Sequence, residues 1–411
     1  APRDIIIVAL LPLQQALDHI LSVVPVPPAT ESLPIVDCLG RVVGKPVTNQ
    51  RDVPPFDNSA MDGYALRAAD LPGTLRVSQR IPAGAPAMEL EPGTAARIFT
   101  GALIPPGADT VVIQEDVAEA DLATDRVTFM RPATQGQHIR LRGSDVPAGA
   151  SVFEAGRVLQ PQDLALAAST GTPVIDVYQR LKVAILSTGD ELVAPGETPA
   201  DWQIYNSNSV QLASQVQALG CEPVVLDTPG DNPEEIRNAL QQAAAIADCI
   251  VTSGGVSVGE EDHVRGQIES LGSIDIWKLA IKPGKPVAFG RVLDCPIFGL
   301  PGNPVSSWVT FGLVVKPWLL AAQGALVPRH RRIRYRAAFN RPKPGAREEY
   351  LRVSLTEDMG AGLAGDQGSG VLSSVGRADG LAIIPVGEVV KAGDEVDVIL
   401  ISEFLSPSVA G

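Results

Sequence analysis

From Lys182 onward, short apolar runs alternate with segments of helical period, and this alternation constrains the fold more than any other feature. Val183-Ala184-Ile185-Leu186, Pro223-Val224-Val225-Leu226, Cys249-Ile250-Val251-Thr252 and Ile297-Phe298-Gly299-Leu300 read as buried strands. Ser209–Leu219 is helical. Ile236, Ala239, Leu240, Ala243 and Ala247 share one helical face, with Pro233 suited to its first turn. Val264, Ile268 and Leu271 suggest a third helix, and residues 304–322 a last one interrupted by Pro317. Strands joined through helices predict a parallel α/β sheet. Ligands of such sheets bind beyond the carboxyl ends of the strands.

The rest of the chain divides around this block. Leu13, Ala16, Leu17, Ile20, Leu21 and Val24 recur at helical spacing, so residues 12–24 are expected to form an amphipathic helix, ended by Pro25, Pro27 and Pro28. Asp52 to about Arg142 carries short β-rich runs separated by Gly and Pro turns. Residues 147–180 turn helical around Asp163–Ala167, and after Val327 the chain is β-rich to its end, as a small barrel or sandwich would be. The expected parts are 1–50 with 147–180, 51–146, 181–327 and 328–411; 411 residues are too many for one ordinary core. Neither 12–24 nor 147–180 has a core of its own. The two are expected to pack together and to help form a two-fold dimer.

Charge and cysteine usage narrow the classes. A net charge of −14 argues against a general nucleic-acid binder, and the basic run Arg329–Arg336 reads as a linker entering an exposed strand. Cys38, Cys221, Cys249 and Cys295 are scattered and the four histidines do not cluster, so neither a zinc site nor a disulfide framework is expected. Cys221, Cys249 and Cys295 border apolar strands and read as inert core residues. A reducing cytoplasm suits this usage. The run Ile5–Leu11 resembles a short signal segment but lacks a cleavage site, and no stretch is read as long enough to span a membrane.

The chemistry sits in loops. Ser253-Gly254-Gly255-Val256-Ser257-Val258-Gly259 follows a strand and precedes a helix, so its amides can converge on an anion. An ordinary glycine-rich turn is the alternative. Ser187-Thr188-Gly189-Asp190-Glu191 and Pro301-Gly302-Asn303-Pro304-Val305-Ser306 fall at the same predicted sheet edge, which favours a nucleotide phosphate site. Asp62, Glu191, Asp231 and Asp262 lie at loop ends, where acids serve either as helix caps or, with phosphates, as Mg²⁺ ligands. Lysine is rare, yet Lys278, Lys282 and Lys285 fall together beside Pro283 and Pro286; they read as an oxyanion pocket, or else as solvated lysines on a hairpin. Asp57–Ala65 is dense in hydrogen-bonding side chains and by itself reads as an elaborate turn.

These motifs, Pro55–Ala65, Ser187–Leu192, Ser253–Gly259, Lys278–Pro286 and Gly299–Ser306, resemble the molybdopterin molybdenumtransferase family, MoeA and the gephyrin E domain, in order along most of the chain. The resemblance implies an elongated four-part protomer: a dimerisation part, a β-rich lobe, a molybdopterin-binding α/β domain and a C-terminal β-barrel domain. It also implies a homodimer, with the cleft between the α/β domain of one copy and β-rich lobes of the other. The implied reaction converts adenylylated molybdopterin and molybdate, with Mg²⁺, to molybdenum cofactor and AMP. A molybdopterin adenylyltransferase upstream and molybdoenzyme chaperones downstream are the implied partners, with neither nucleic acid nor membrane. By motif position, Asp62, Thr100, Glu191, Asp231 and Asp262 look catalytic, the last three as metal ligands. Arg140, Asp145, Ser187, Gly189, Ser253, Gly254, Gly255, Ser257, Lys278, Lys282, Lys285, Pro301, Asn303, Ser306, Arg352 and Ser373 look substrate-binding. Two positions depart from the family: Asn206 stands where a carboxylate is frequent, and Ser144 where an acid is common. The rival readings are a related adenylyltransferase, which would not need the extra β-rich lobes, and a non-catalytic scaffold.

Overall fold

A computed structural model describes residues 10–121, 124–255, 263–326 and 330–407. The expected parallel sheet is present. Its first four strands, in spatial order Glu222–Val225, Lys182–Ser187, Cys249–Ser253 and Cys295–Leu300, are all parallel. Successive side chains on a strand face opposite ways, and each face meets helices. Val183, Ile185, Val251 and Phe298 pack with Leu212, Val216, Trp308 and Trp318. Ala184, Leu186, Ile250 and Ile297 pack on the other face with Ile236, Leu240, Val264 and Ile268.

Two further strands extend the sheet beyond the expectation. Pro286–Val292 runs antiparallel to Cys295–Leu300, and Gly272–Lys278 antiparallel to Pro286–Val292. The link Leu293–Asp294 is too short for a crossover, so the strand must reverse; Leu293 takes φ +54 there.

The last helix runs without a break through Pro317. A π-helical turn at Phe311–Val315, with Lys316 N–H donating to Phe311 O, widens the helix just before the proline, where a regular turn would clash. The result corrects the expectation that no segment is long enough to span a membrane. Pro304–Ala322 has that length and composition, but 94% of it is buried inside the fold.

Thr30–Pro34 pairs with Val174–Tyr178, and Val47–Thr48 with Ser151–Phe153, so segments either side of the lobe are sewn together. The helix Leu13–Ser22 meets the segment 147–180 in part, through the cluster it shares with Val158 and Tyr178, but not the helix within that segment. The buried Ala16 and Ile20 of Leu13–Ser22 join the α/β core, whereas Ala167 of the helix Pro161–Ser169 belongs to a cluster with Cys38, Phe153 and Ile175. The α/β surface simply offers the larger apolar face.

The lobe is a six-stranded sheet in the order Thr110–Ile113, Gly63–Leu66, Thr94–Ile98, Gly73–Ile81, Arg126–Phe129 and Glu119–Asp121, with a core on each face. The C-terminal region closes on itself. Glu348–Leu355, Gly360–Leu363, Ile333–Ala337, Glu395–Leu400 and Gly380–Ile384 form a ring of five strands, because the first also pairs with the last. Ile281–Lys282 of the α/β domain adds in parallel to the ring strand Glu348–Leu355.

Candidate functional site at the carboxyl edge of the sheet

Ser187 and Ser253 end adjacent parallel strands, and the chain turns sharply after each. Gly254 (φ +93) and Gly255 (φ +65) use backbone that side chains avoid, and there is no room for one. A Cβ on Gly254 would lie 2.9 Å from Thr188 O, and one on Gly255 2.3 Å from Val264. Thr188 N–H donates to Ser253 O at 3.2 Å and Gly254 N–H to Leu300 O at 3.1 Å, so the three loops are laced at their roots. Asn208 completes the lacing. Its Nδ2 donates to Ser253 Oγ at 2.6 Å and to Gly302 O at 2.7 Å. Ser187 Oγ, Thr252 Oγ1 and Asn208 Oδ1 are buried here without protein partners. Buried polar atoms of this kind mark a place where a polar ligand or water is expected.

The acids resolve into separate roles. Asp231 is not the cap of the helix Pro233–Ile246; Asn232 is, its side chain accepting from Glu234 N–H at 2.8 Å. The Asp231 backbone N–H donates to Asp190 Oδ1 at 3.0 Å, which draws the loops bearing Asp190, Glu191 and Asp231 together. Glu191 and Asp231 are exposed. Asp262 and Ser257 lie outside the described residues. Among the described residues, no three potential ligands already form a metal cage. The donor set still suits Mg²⁺, which takes one or two carboxylates and fills its shell with water and substrate phosphates. Asn206, which stands where the family frequently has a carboxylate, caps the helix Ser207–Ala218, its Oδ1 accepting from Ser209 N–H at 3.0 Å.

The lysine loop packs on the helix that starts from this edge. Gly284 (φ +101) packs so tightly on the helix Pro304–Thr310 that a Cβ there would sit 2.3 Å from the Thr310 methyl and 3.6 Å from Ser306 O. This contact seats the loop that carries Lys282 and Lys285 on the helix bearing Ser306. Lys285 is exposed, while Lys282 donates to Glu349 of the barrel at 2.8 Å. Lys278 ends its strand, its backbone O accepting from Leu11 N–H. Arg352 is buried, with Nε donating to Ser374 Oγ and Nη2 to Asp366 O and Gly368 O. Burial also lowers its pKa. Its structural effect is to hold the loop 366–374, whose Ser369 O accepts from Val305 N–H at 3.1 Å. Ser373 is exposed, with Oγ accepting from Arg377.

A second group forms in the lobe. Thr100 N–H and Oγ1 both donate to Asp62 Oδ1 at 2.8 Å, and these bonds, the backbone one foremost, lower the Asp62 pKa. Arg140 is paired with Asn58 in a short ladder, and Asp145 N–H donates to Val53 O. The dense segment Asp57–Ala65 is thus more than a turn, since it is knitted to Thr100–Ile104 and His138–Arg142. Among the described residues, no hydrogen bond or ion pair joins residues 51–146 to the α/β domain.

Sequence reasoning missed Asn208, Asp190 and Glu349. Asn208 lies one residue inside a helix whose polar side chains look alike in sequence, and only the fold turns it towards the loops.

Comparison with known proteins gives a consistent pattern. Residues 11–171 match the family model of the MoeA N-terminal region (domains I and II), 184–321 that of a probable molybdopterin binding domain, and 334–401 that of the MoeA C-terminal region (domain IV). Molybdopterin molybdenumtransferase of Haemophilus influenzae is 42% identical over 77% of this chain and 78% of its own length. Molybdopterin molybdenumtransferase 2 of Mycobacterium tuberculosis is 38% identical over 89% and 94%. A crystal structure of the molybdopterin biosynthesis MoeA protein of Pyrococcus horikoshii superposes with a TM-score of 0.82 at 30% identity, covering 95% of this chain and 100% of that one.

Proposed function

The chain belongs to the MoeA family of molybdopterin molybdenumtransferases, enzymes of molybdenum cofactor biosynthesis, and from that premise we propose that it inserts molybdate into adenylylated molybdopterin with release of AMP. The observation that supports this reading is that the laced glycine loops and the helix on which the lysine loop packs start from one sheet edge. Laced glycine loops with spare buried polar atoms, at Ser187, Gly254, Gly255 and Asn208, suit the phosphates of a nucleotide-linked pterin. Lys282 and Lys285, docked on the helix that starts at Pro304, suit a compact tetrahedral dianion.

The residues then divide the work. Loop amides and Ser253 orient the phosphates. The lysines hold molybdate against them, so that its oxygen and the pterin are already adjacent. Glu191 and Asp231, with Asp262, would hold Mg²⁺, which when bound neutralises charge on the phosphate anhydride. No side chain has to act as a covalent nucleophile, because molybdate and water supply the oxygens. Asp62 and Thr100 form a rigid pair with nothing at the sheet edge to act on within their own hydrogen-bonded network. We therefore assign the lobe of a second copy to each cleft, in a homodimer. A cytoplasmic setting, between a molybdopterin adenylyltransferase and chaperones of molybdoenzymes, fits such substrates.

The rival adenylyltransferase reading needs only the α/β domain, whereas this chain matches the family across its N- and C-terminal regions too. The test offers the purified protein either ATP with molybdopterin, or adenylylated molybdopterin with molybdate and Mg²⁺, and scores cofactor by activation of an apo-molybdoenzyme. Cofactor from the second mixture alone is expected. ATP consumption in the first would overturn the assignment.

A further inference from the structure

We propose that Glu349 is a built-in counter-ion that competes with the oxyanion for Lys282 and so sets how tightly the lysine loop holds molybdate. This rests on the assignment of Lys282 and Lys285 as the molybdate grip. Lys282 Nζ lies 2.8 Å from Glu349 Oε1, and the other carboxylate oxygen takes Arg341 Nη2. The contact is no chance pairing of surface chains. Ile281–Lys282 is added in register to Glu348–Glu349, Glu348 N–H donates to Ala280 O at 2.9 Å, and Arg347 Nη1 donates to Ile281 O at 3.2 Å. The Glu349 side chain is 12% exposed, against 49% for Lys282. The carboxylate is therefore fixed and the ammonium can move.

A fixed carboxylate beside an anion-binding lysine weakens that lysine twice. It occupies the ammonium in the free protein, and it repels an arriving dianion. Arg341 makes the arrangement reversible. When Lys282 leaves Glu349 for an oxyanion, the carboxylate keeps Arg341 and is not stranded as an unpaired, half-buried charge. Molybdate binding is then an exchange of partners by Lys282, with affinity lowered enough for the oxyanion to move on to the pterin. The barrel, through one residue, controls a site on the α/β domain.

A purely structural ion pair makes the opposite prediction, because removing it would loosen Lys282 and weaken binding. The test is titration calorimetry of the full-length protein with sodium molybdate, on the wild type, Glu349→Gln, Arg341→Gln, Lys282→Gln and the Lys282→Gln/Glu349→Gln double variant, each checked by thermal melting. Glu349→Gln is expected to tighten molybdate about fivefold, the scale of one such ion pair. It should lower the KM for molybdate without raising kcat. Arg341→Gln leaves Glu349 to Lys282 alone and is expected to weaken molybdate. The Glu349→Gln gain should vanish in the double variant. Unchanged or weaker binding in Glu349→Gln, with Lys282→Gln still weakening it, overturns this proposal and leaves the lysine assignment standing. If Glu349→Gln does not fold, stronger or unchanged binding in Arg341→Gln overturns it equally. Molybdate affinity unaffected by Lys282→Gln takes down both.

Discussion

Replacing Asn208 with alanine tests whether the glycine loops depend on their lacing. Asn208 is 9% exposed, and its Nδ2 serves two loops at once, at 2.6 Å to Ser253 Oγ and 2.7 Å to Gly302 O. Gly302 is exposed, so water can replace its lost donor and that bond costs about 1 kcal/mol. Ser253 is buried, and losing its partner costs about 1–2 kcal/mol more. The sum, about 2–3 kcal/mol, corresponds to a fall of roughly 5–10 °C in the melting of a domain this size. Asn208→Asp, which points a charged acceptor at two oxygens, should be worse. Thermal unfolding measures the first effect and cofactor formation the second, since the loop amides lose their shared register. A midpoint within about 1 °C of wild type for Asn208→Ala would refute the reasoning, because a lost buried bond must register on this scale.

Asp62→Asn should keep its melting temperature within a few degrees and lower cofactor formation by more than tenfold, roughly the scale of a lost transition-state contact; undiminished rates would remove Asp62 from the machinery. At a molybdate concentration too low for Lys285→Gln to turn over, Asp62→Asn and Lys285→Gln subunits, each strongly impaired alone, should regain about a quarter of wild-type activity when mixed and re-assembled, because in the proposed homodimer half the dimers would carry one intact cleft built from both chains. No recovery, with mixed dimers confirmed, would place each site within one subunit. The His330 ring is partly buried, and this desolvation pushes its pKa down from 6.5 to about 4, with the nearby Lys316 charge adding to the effect. The unfolded chain therefore takes up a proton below pH 6.5 that the folded protein refuses until about 4. Stability should be intact above pH 6.5 and fall by about 3 kcal/mol on acidification to pH 4. Urea titrations of His330→Gln should show a shallower fall over that window; an identical slope would mean that other groups carry it.

The parallel core was legible because its strands are buried on both faces, so Val183–Leu186 and Cys249–Thr252 read as unbroken apolar runs. Gly272–Lys278 was not, since its Ser273, Asp275 and Lys278 break any pattern and its pairing shifts register twice. Pro317 misled for a local reason: a proline forbids a regular turn, but not one already widened at Phe311–Val315. The glycine loops could be placed at the sheet edge from their position after strands. Their mutual contacts could not, because Asn208 reaches Gly302 across 94 residues and Lys282 reaches Glu349 across 67. Cysteine burial was readable from apolar neighbours. All four cysteines are buried and unpaired, with the Cys221 and Cys295 thiols pushed up to about 12 by burial. Asp231 suits a helix cap as well as a metal ligand when only its neighbours Asn232 and Pro233 are known; the fold decides against the cap, because Asn232 fills that place.

The most direct test of the central claim is the stoichiometry of AMP release. Adenylylated molybdopterin would be mixed with the protein, and AMP and inserted molybdenum measured over one turnover, with molybdate and Mg²⁺ each supplied or withheld. The account predicts one AMP released for each molybdenum inserted, only when both are present, with Lys285→Gln needing more molybdate to reach the half-maximal rate. AMP released at the same rate without molybdate, or molybdenum inserted with the adenylyl group still attached, would contradict it.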